Sequence, residues 1–121
     1  MPAKRVLVVD DSPTERHAIS EILRRAGHEV ETCDSGEDAV TRAKALLPDV
    51  ILMDVVMPGL NGFQATRMIA RDEATRHIPV IICTTKSQET DKIWGLRQGA
   101  RDYVVKPVAA ADLLDKIARL A

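Results

Sequence analysis

The sequence predicts an α/β domain built on an open parallel sheet with helices covering both faces. Five short apolar runs alternate with five segments of helical period, the connections between them are short, and several runs are apolar throughout, as in strands buried on both sides. At 121 residues the chain fits one domain, spanning 1–121 with no output domain expected, and is long enough to bury a core without disulfides or a structural metal.

Arg5-Val-Leu-Val-Val9 is a continuous β-branched and aliphatic run that ends in acid, Asp10-Asp11, and reads as the first strand. Ser12-Pro13 then supplies an N-cap and a proline at the first helical position. Ala18, Ile19, Ile22, Leu23 and Ala26 recur on one face up to Gly27, which predicts a helix from about Pro13 to Ala26. Glu29-Val-Glu-Thr-Cys33 is more polar and suits a sheet edge. Ser35 caps a second helix with apolar positions Ala39, Val40, Ala43, Leu46 and Leu47, stopped by Pro48.

Val50-Ile-Leu-Met53 is the third strand, followed by Asp54 and the break at Pro58-Gly59. After Gly62 a third helix carries Phe63, Thr66, Arg67 and Ile69, ahead of the polar stretch Arg71 to His77. Pro79-Val-Ile-Ile-Cys83 is a fourth buried strand, leading to Thr84-Thr85-Lys86. Helical spacing of Ile93, Trp94 and Arg97 predicts a helix over Thr90 to Gln98, ended by Gly99. Gly95 in its interior costs about 1 kcal/mol relative to Ala, so this helix is expected to be the least stable. Arg101-Asp-Tyr-Val-Val105 is the fifth strand, ending at Lys106-Pro107. Leu113, Leu114, Ile117 and Leu120 mark a closing amphipathic helix.

The balance of residues narrows the function. A formal net charge of -1 without a Lys/Arg cluster argues against a nucleic-acid surface or an anionic membrane as partner. No apolar run approaches the roughly 18 residues of a membrane span. The first residues lead directly into a strand instead of a signal-peptide core, so a cytoplasmic protein is expected. Cys33 and Cys83 lack metal-ligand or CxxC spacing and read as reduced, buried thiols.

In a parallel sheet every strand C-terminus lies on one edge, where ligands bind at the point of winding reversal. That edge collects Asp10, Asp11, Asp54, Thr84 and Lys106. Carboxylates this close repel one another unless a cation sits among them, and one lysine is too little compensation. An all-oxygen, carboxylate-rich site suits a hard cation, Mg²⁺ above all. Asp54 beside such a cation, with a hydroxyl and an ammonium converging on it, is a phosphoryl-transfer site in which Asp54 is the nucleophile and Lys106 and Thr84 bond the phosphoryl oxygens.

Blander roles compete for each residue. Asp11 could cap the first helix, Asp54 could serve the turn before Pro58-Gly59, and Lys106 could be a solvated charge. Thr84 and Thr85 are separated by register alone. Trp94 and Tyr103 are packing residues or, in a chain so poor in aromatics, interface anchors.

Over nearly its whole length the sequence resembles the receiver domain of two-component response regulators. The likeness rests on Val8-Val9-Asp10-Asp11-Ser12, Leu52-Met53-Asp54 through Met57-Pro58-Gly59-Leu60-Asn61-Gly62, Pro79-Val80-Ile81-Ile82 with Thr84, and Gly99-Ala100 through Tyr103-Val-Val-Lys106-Pro107, in that order and spacing. It implies a flavodoxin-like (βα)5 three-layer sandwich with strand order 2-1-3-4-5. It also implies that Asp54 is the phosphoacceptor, and that Asp11, Asp54 and the backbone carbonyl of Val56 ligate Mg²⁺, with Asp10 acting through water. Thr84 and Tyr103 would form a switch pair, and the Lys106-Pro107 peptide would be cis.

By the same resemblance the phosphodonor is a sensor histidine kinase. The output is a downstream protein that reads the face of helix four, strand five and helix five, and a monomer is the default. Val56, Thr85 and Lys86 stand where the family varies its dephosphorylation rate. Asp11 to Glu15, Met57 to Thr66 and Thr84 to Gly95 further resemble stand-alone receivers of the chemotaxis-like system that controls type IV pili and twitching motility. Ala109-Ala110-Ala111 offers no side-chain cap for the last helix, a small departure.

Three other classes fit less well. An aspartate-nucleophile phosphatase of the haloacid dehalogenase type wants a second acid two residues after the nucleophile, where this chain has Val56. A flavin-binding flavodoxin wants a hydroxyl- and glycine-rich phosphate loop after the first strand, where this chain has acid. A DNA-binding regulator would need a further domain after Ala121.

Overall fold

The computed structural model describes residues 3–120. Ten elements alternate along the chain: β1 (Arg5–Val9), α1 (Pro13–Arg25), β2 (Glu29–Cys33), α2 (Gly36–Leu46), β3 (Val50–Met53), α3 (Gly62–Arg71), β4 (Val80–Thr84), α4 (Glu89–Arg97), β5 (Asp102–Val105) and α5 (Ala110–Ala118). The strands form one parallel sheet in the order β2-β1-β3-β4-β5, as the resemblance implied. Parallel neighbours require crossovers, and the helices supply them.

Two cores flank the sheet, because alternate residues of each buried strand point to opposite faces. Val6, Val8, Val50, Leu52 and Ile81 meet Ile19 and Leu23 of α1 and Leu113 and Ile117 of α5. Leu7, Val9, Ile51, Met53 and Ile82 meet Ala39 and Ala43 of α2 and Ala65 and Ile69 of α3. Leu7, Leu23, Ile51 and Ile117 are wholly buried, and each such side chain contributes about 1.5–3 kcal/mol. β2 alternates exposed and half-buried residues along most of its length, as an edge strand should.

Helix ends follow the local sequence. Ser12 accepts a hydrogen bond from the Glu15 N–H at 3.3 Å, with Pro13 at the first helical position, and Ser35 accepts one from Asp38. Asn61 and Gln64 form a reciprocal capping box at α3. α4 and α5 lack side-chain caps, the latter as Ala109 predicted.

Two expectations about helical faces are corrected. Arg67 is exposed, and the buried face of α3 is Gly62, Ala65, Thr66 and Ile69. In α4 the residues that suggested a helix face outward, with Ile93 and Trp94 about half exposed and Arg97 also on the surface; the buried residue is Gly95. A Cβ on Gly95 would stand 3.3 Å from the Phe63 ring and 3.4 Å from the Tyr103 ring, so the glycine lets α4 approach the sheet closely. Its cost in helix propensity is offset by packing, a term absent from local sequence.

Candidate functional site

Register brings the site together. Val9 pairs with Met53 across β1 and β3, so the next residues of each strand, Asp10 and Asp54, emerge side by side. The hydrogen-bond ladder runs on past the strand ends: Asp54 N–H donates to the Val9 carbonyl at 2.9 Å, Asp10 N–H to Cys33 at 3.2 Å, and Lys106 N–H to Thr84 at 2.8 Å. These backbone bonds fix the site residues as firmly as the strands themselves.

Gly62 adds a second constraint on Asp54. A Cβ there would overlap the Asp54 carbonyl and crowd the Val55 backbone, so only glycine lets the start of α3 lie against the acid. The Gly62 N–H closes this loop by donating to the Val55 carbonyl at 3.0 Å. One Asp54 carboxylate oxygen accepts from the Val55 N–H at 2.9 Å.

Asp10 and Asp54 are buried, at 1% and 6% exposure, and Lys106 reaches them from the end of β5. Its ammonium hydrogen-bonds an Asp10 oxygen and, at 2.5 Å, a Glu15 oxygen; the nearer Asp54 oxygen stands at 3.6 Å. Burial raises the Asp54 carboxyl above the ordinary value of 3.8. Asp10 and Asp11 act in the same direction, and Lys106 and the Val55 N–H oppose them. Burial also works against the Lys106 ammonium, but the bonds from Asp10 and Glu15 and the charge of Asp54 outweigh it and leave the group above its usual value. The lysine is therefore a fixed cation.

Thr84 is fully buried at the end of β4, whereas Thr85 is exposed. Thr84 Oγ1 accepts from the Lys86 N–H at 3.4 Å, and the Lys86 carbonyl accepts from the Tyr103 hydroxyl at 2.8 Å. Tyr103 lies inward, and burial pushes its hydroxyl up to about 12, so it remains a donor. Val56 follows Asp54 by two residues with its side chain exposed. The Lys106-Pro107 peptide is cis.

One member of the site was missed and one is placed apart. Among the described residues, the acids whose oxygens converge within 4.8 Å are Asp10, Glu15 and Asp54, and Asp11 is exposed and outside this group. Glu15 lies three residues after the Ser12 cap, a spacing that ordinarily reads as a capping box with the glutamate bonded to the Ser12 N–H. Here Asp10 accepts from that N–H, at 2.9 Å, and the Glu15 carboxylate is free to meet Lys106. The cysteines are both buried, and burial raises Cys33 to about 11 and Cys83 to about 12, which leaves them as inert thiols.

A buried carboxylate at a sheet's C-terminal edge, beside a second acid and a fixed ammonium and with a buried hydroxyl at the end of the neighbouring strand, is equipped to accept a phosphoryl group. The chain belongs to the response regulator receiver domain family, whose model matches residues 6–118. Within that class it is closely related to Protein PilH of Pseudomonas aeruginosa, with 58% identity over 113 residues and 93% of each chain covered.

Solved structures agree. A putative response regulator from Chloroflexus aurantiacus superposes with a TM-score of 0.93 at 30% identity, covering 98% of both chains. The receiver domain of a Pseudomonas aeruginosa sensor histidine kinase, solved with magnesium coordinated in its active-site cleft, gives 0.90 at 34% identity, also over 98% of both. A receiver is a phosphorylation switch that takes phosphoryl from histidine kinases, not an enzyme that turns over a separate substrate. No helix of the described residues is long and apolar enough to cross a membrane.

Proposed function

We propose that this protein is a single-domain response regulator that accepts a phosphoryl group from a histidine kinase on Asp54 and signals by protein contact. The observation that carries the reading is Asp54 itself, buried beside Asp10 with Lys106 3.6 Å away. The likeness to PilH, which this chain matches over 93% of its length, supports a stand-alone regulator in a chemotaxis-like pathway controlling type IV pili.

The chemistry follows from the side chains. An Asp54 oxygen attacks phosphorus, the O–P bond forms, the P–N bond to the donor imidazole breaks, and the imidazole leaves with the electron pair. No general base is required, because Asp54 reacts as a carboxylate. Lys106 and Thr84 bond the phosphoryl oxygens, and Asp10 holds Lys106 in place. Mg²⁺ would be held by the hard oxygens of Asp54, Asp11 and the Val56 carbonyl with Asp10 acting through water, although Asp11 stands exposed outside the converging group of Asp10, Glu15 and Asp54. When bound, Mg²⁺ offsets the negative charge between the attacking and transferred oxygens. Occupancy is read through Thr84, the Lys86 backbone and Tyr103, next to the exposed Ile93, Trp94 and Leu96 of α4, a surface for a downstream protein.

Acetyl phosphate should label the protein only with Mg²⁺ present, and Asp54→Asn should abolish the label. Label retained in that variant, with no other residue modified, would overturn the site.

A further inference from the structure

Glu15 stands in the site without a role in the transfer just described. It is the one converging acid that comes from a helix, on a long side chain about 42% exposed, and it holds Lys106 at 2.5 Å while Asp54 lies 3.6 Å from the same nitrogen. The short bonds of the resting ammonium go to Asp10 and Glu15, and the phosphoacceptor stands beyond hydrogen-bond distance. Glu15 is available for this because Asp10 takes the Ser12 N–H that the glutamate would otherwise cap.

We propose that Glu15 is a positioning residue that clamps Lys106 in the resting state and thereby sets how readily the phosphorylated state is reached. This rests on the phosphoacceptor reading of Asp54. A phosphoryl group on Asp54 places a new dianion beside Lys106 and draws the ammonium to it. Glu15 then loses its partner and faces the added negative charge across the site. A contact made in one state and lost in the other shifts the equilibrium toward the first by its differential energy. Asp10 does not behave in this way, since it is buried, held by the sheet and bonded to the Ser12 N–H. Glu15 and Lys106 both line a groove with Ala18, Ile22, Pro107 and Val108, and the Glu15 side chain, already partly exposed there, has room to turn toward solvent.

A different role, as a cation ligand, is compatible with oxygens of Asp10, Glu15 and Asp54 lying within 4.8 Å, and it has the opposite sign. The two separate in the Glu15→Gln variant, which keeps the shape and removes the charge. In calorimetric titration of the full chain with beryllium trifluoride and Mg²⁺, a phosphoryl mimic, the clamp predicts that E15Q binds about fivefold tighter than wild type, the upper range for a half-exposed ion pair. Affinity for Mg²⁺ alone should change less than twofold. The ¹⁵N resonance of the Lys106 ammonium should differ between E15Q and wild type in the resting protein and coincide once the mimic is bound, a pattern that a merely structural role would not give.

Equal or weaker binding of the mimic by E15Q overturns the clamp while leaving Asp54 as acceptor. Failure of the wild-type protein to bind the mimic overturns both.

Discussion

The Tyr103 hydroxyl donates to the Lys86 carbonyl at 2.8 Å, and through the Lys86 N–H this ties β5 to Thr84 at the end of β4. Tyr103 thus joins Thr84 and Lys86, the nearer of them 17 positions earlier in the chain, in one short relay between the acid site and α4. Tyr103 also touches α4 directly, since its ring forms one wall of the space beside Gly95.

Tyr103→Phe keeps the ring and removes the donor. The loss of one hydrogen bond should cost about 1 kcal/mol. Its local effect should be larger, because α4 has no side-chain cap and buries only Gly95. Amide exchange over Gln88 to Gln98 is expected to be the fastest of the helices in the wild type and faster still in the variant. Uniform protection across α4 and its neighbours would show that the relay does not hold this helix.

Gly62→Ala should be damaging out of proportion to one methyl group. The added carbon meets the Asp54 carbonyl and the Val55 backbone, which cannot turn aside as a flexible side chain would. Overpacking of this kind costs about 1–3 kcal/mol, and relief requires moving the Asp54–Val55 backbone. Denaturant unfolding and acetyl phosphate labelling should therefore fall together. A variant that keeps full stability and full labelling would contradict the close approach.

His28 predicts a pH dependence of stability. The ring is buried, its Nδ1 accepts from the Lys4 N–H at 3.0 Å, and its Nε2 has no partner among the described residues. Burial and then the Lys4 charge lower its pKa below the ordinary 6.5. Between the folded value and 6.5 the unfolded chain binds the extra proton, so stability is lost as the pH falls through that window, by at most about 1.4 kcal/mol per pH unit. The neutral variant His28→Asn keeps an acceptor for Lys4 and removes the titration. Urea unfolding at pH 7.5 and 5.5 should show a larger loss for wild type than for the variant, and equal losses would refute the assignment.

Much of the fold was legible because strand and helix signals are local. Val50-Ile-Leu-Met53 is apolar at every position, and a strand buried on both faces demands that. The N-caps at Ser12 and Ser35 stood where the sequence placed them for the same reason: a cap bonds within its own first turn. Boundaries shifted by a residue, as where β4 runs to Thr84 instead of Cys83, since strand ends depend on the partner strand as well.

The sequence by itself determined the alternating architecture and the acids at the strand ends, because both follow from spacing along one chain. The tertiary structure decided which of those groups meet. It exposed Asp11 and brought in Glu15, buried Thr84 and left Thr85 outside, and turned Tyr103 inward against a glycine that local propensity counted only as a weakness. Each of those outcomes depends on contacts between residues distant in sequence, such as Glu15 and Lys106, 91 positions apart. Whether a carboxylate caps its own helix or clamps a lysine from another strand is a competition between a local partner and a distant one, settled when the chain closes.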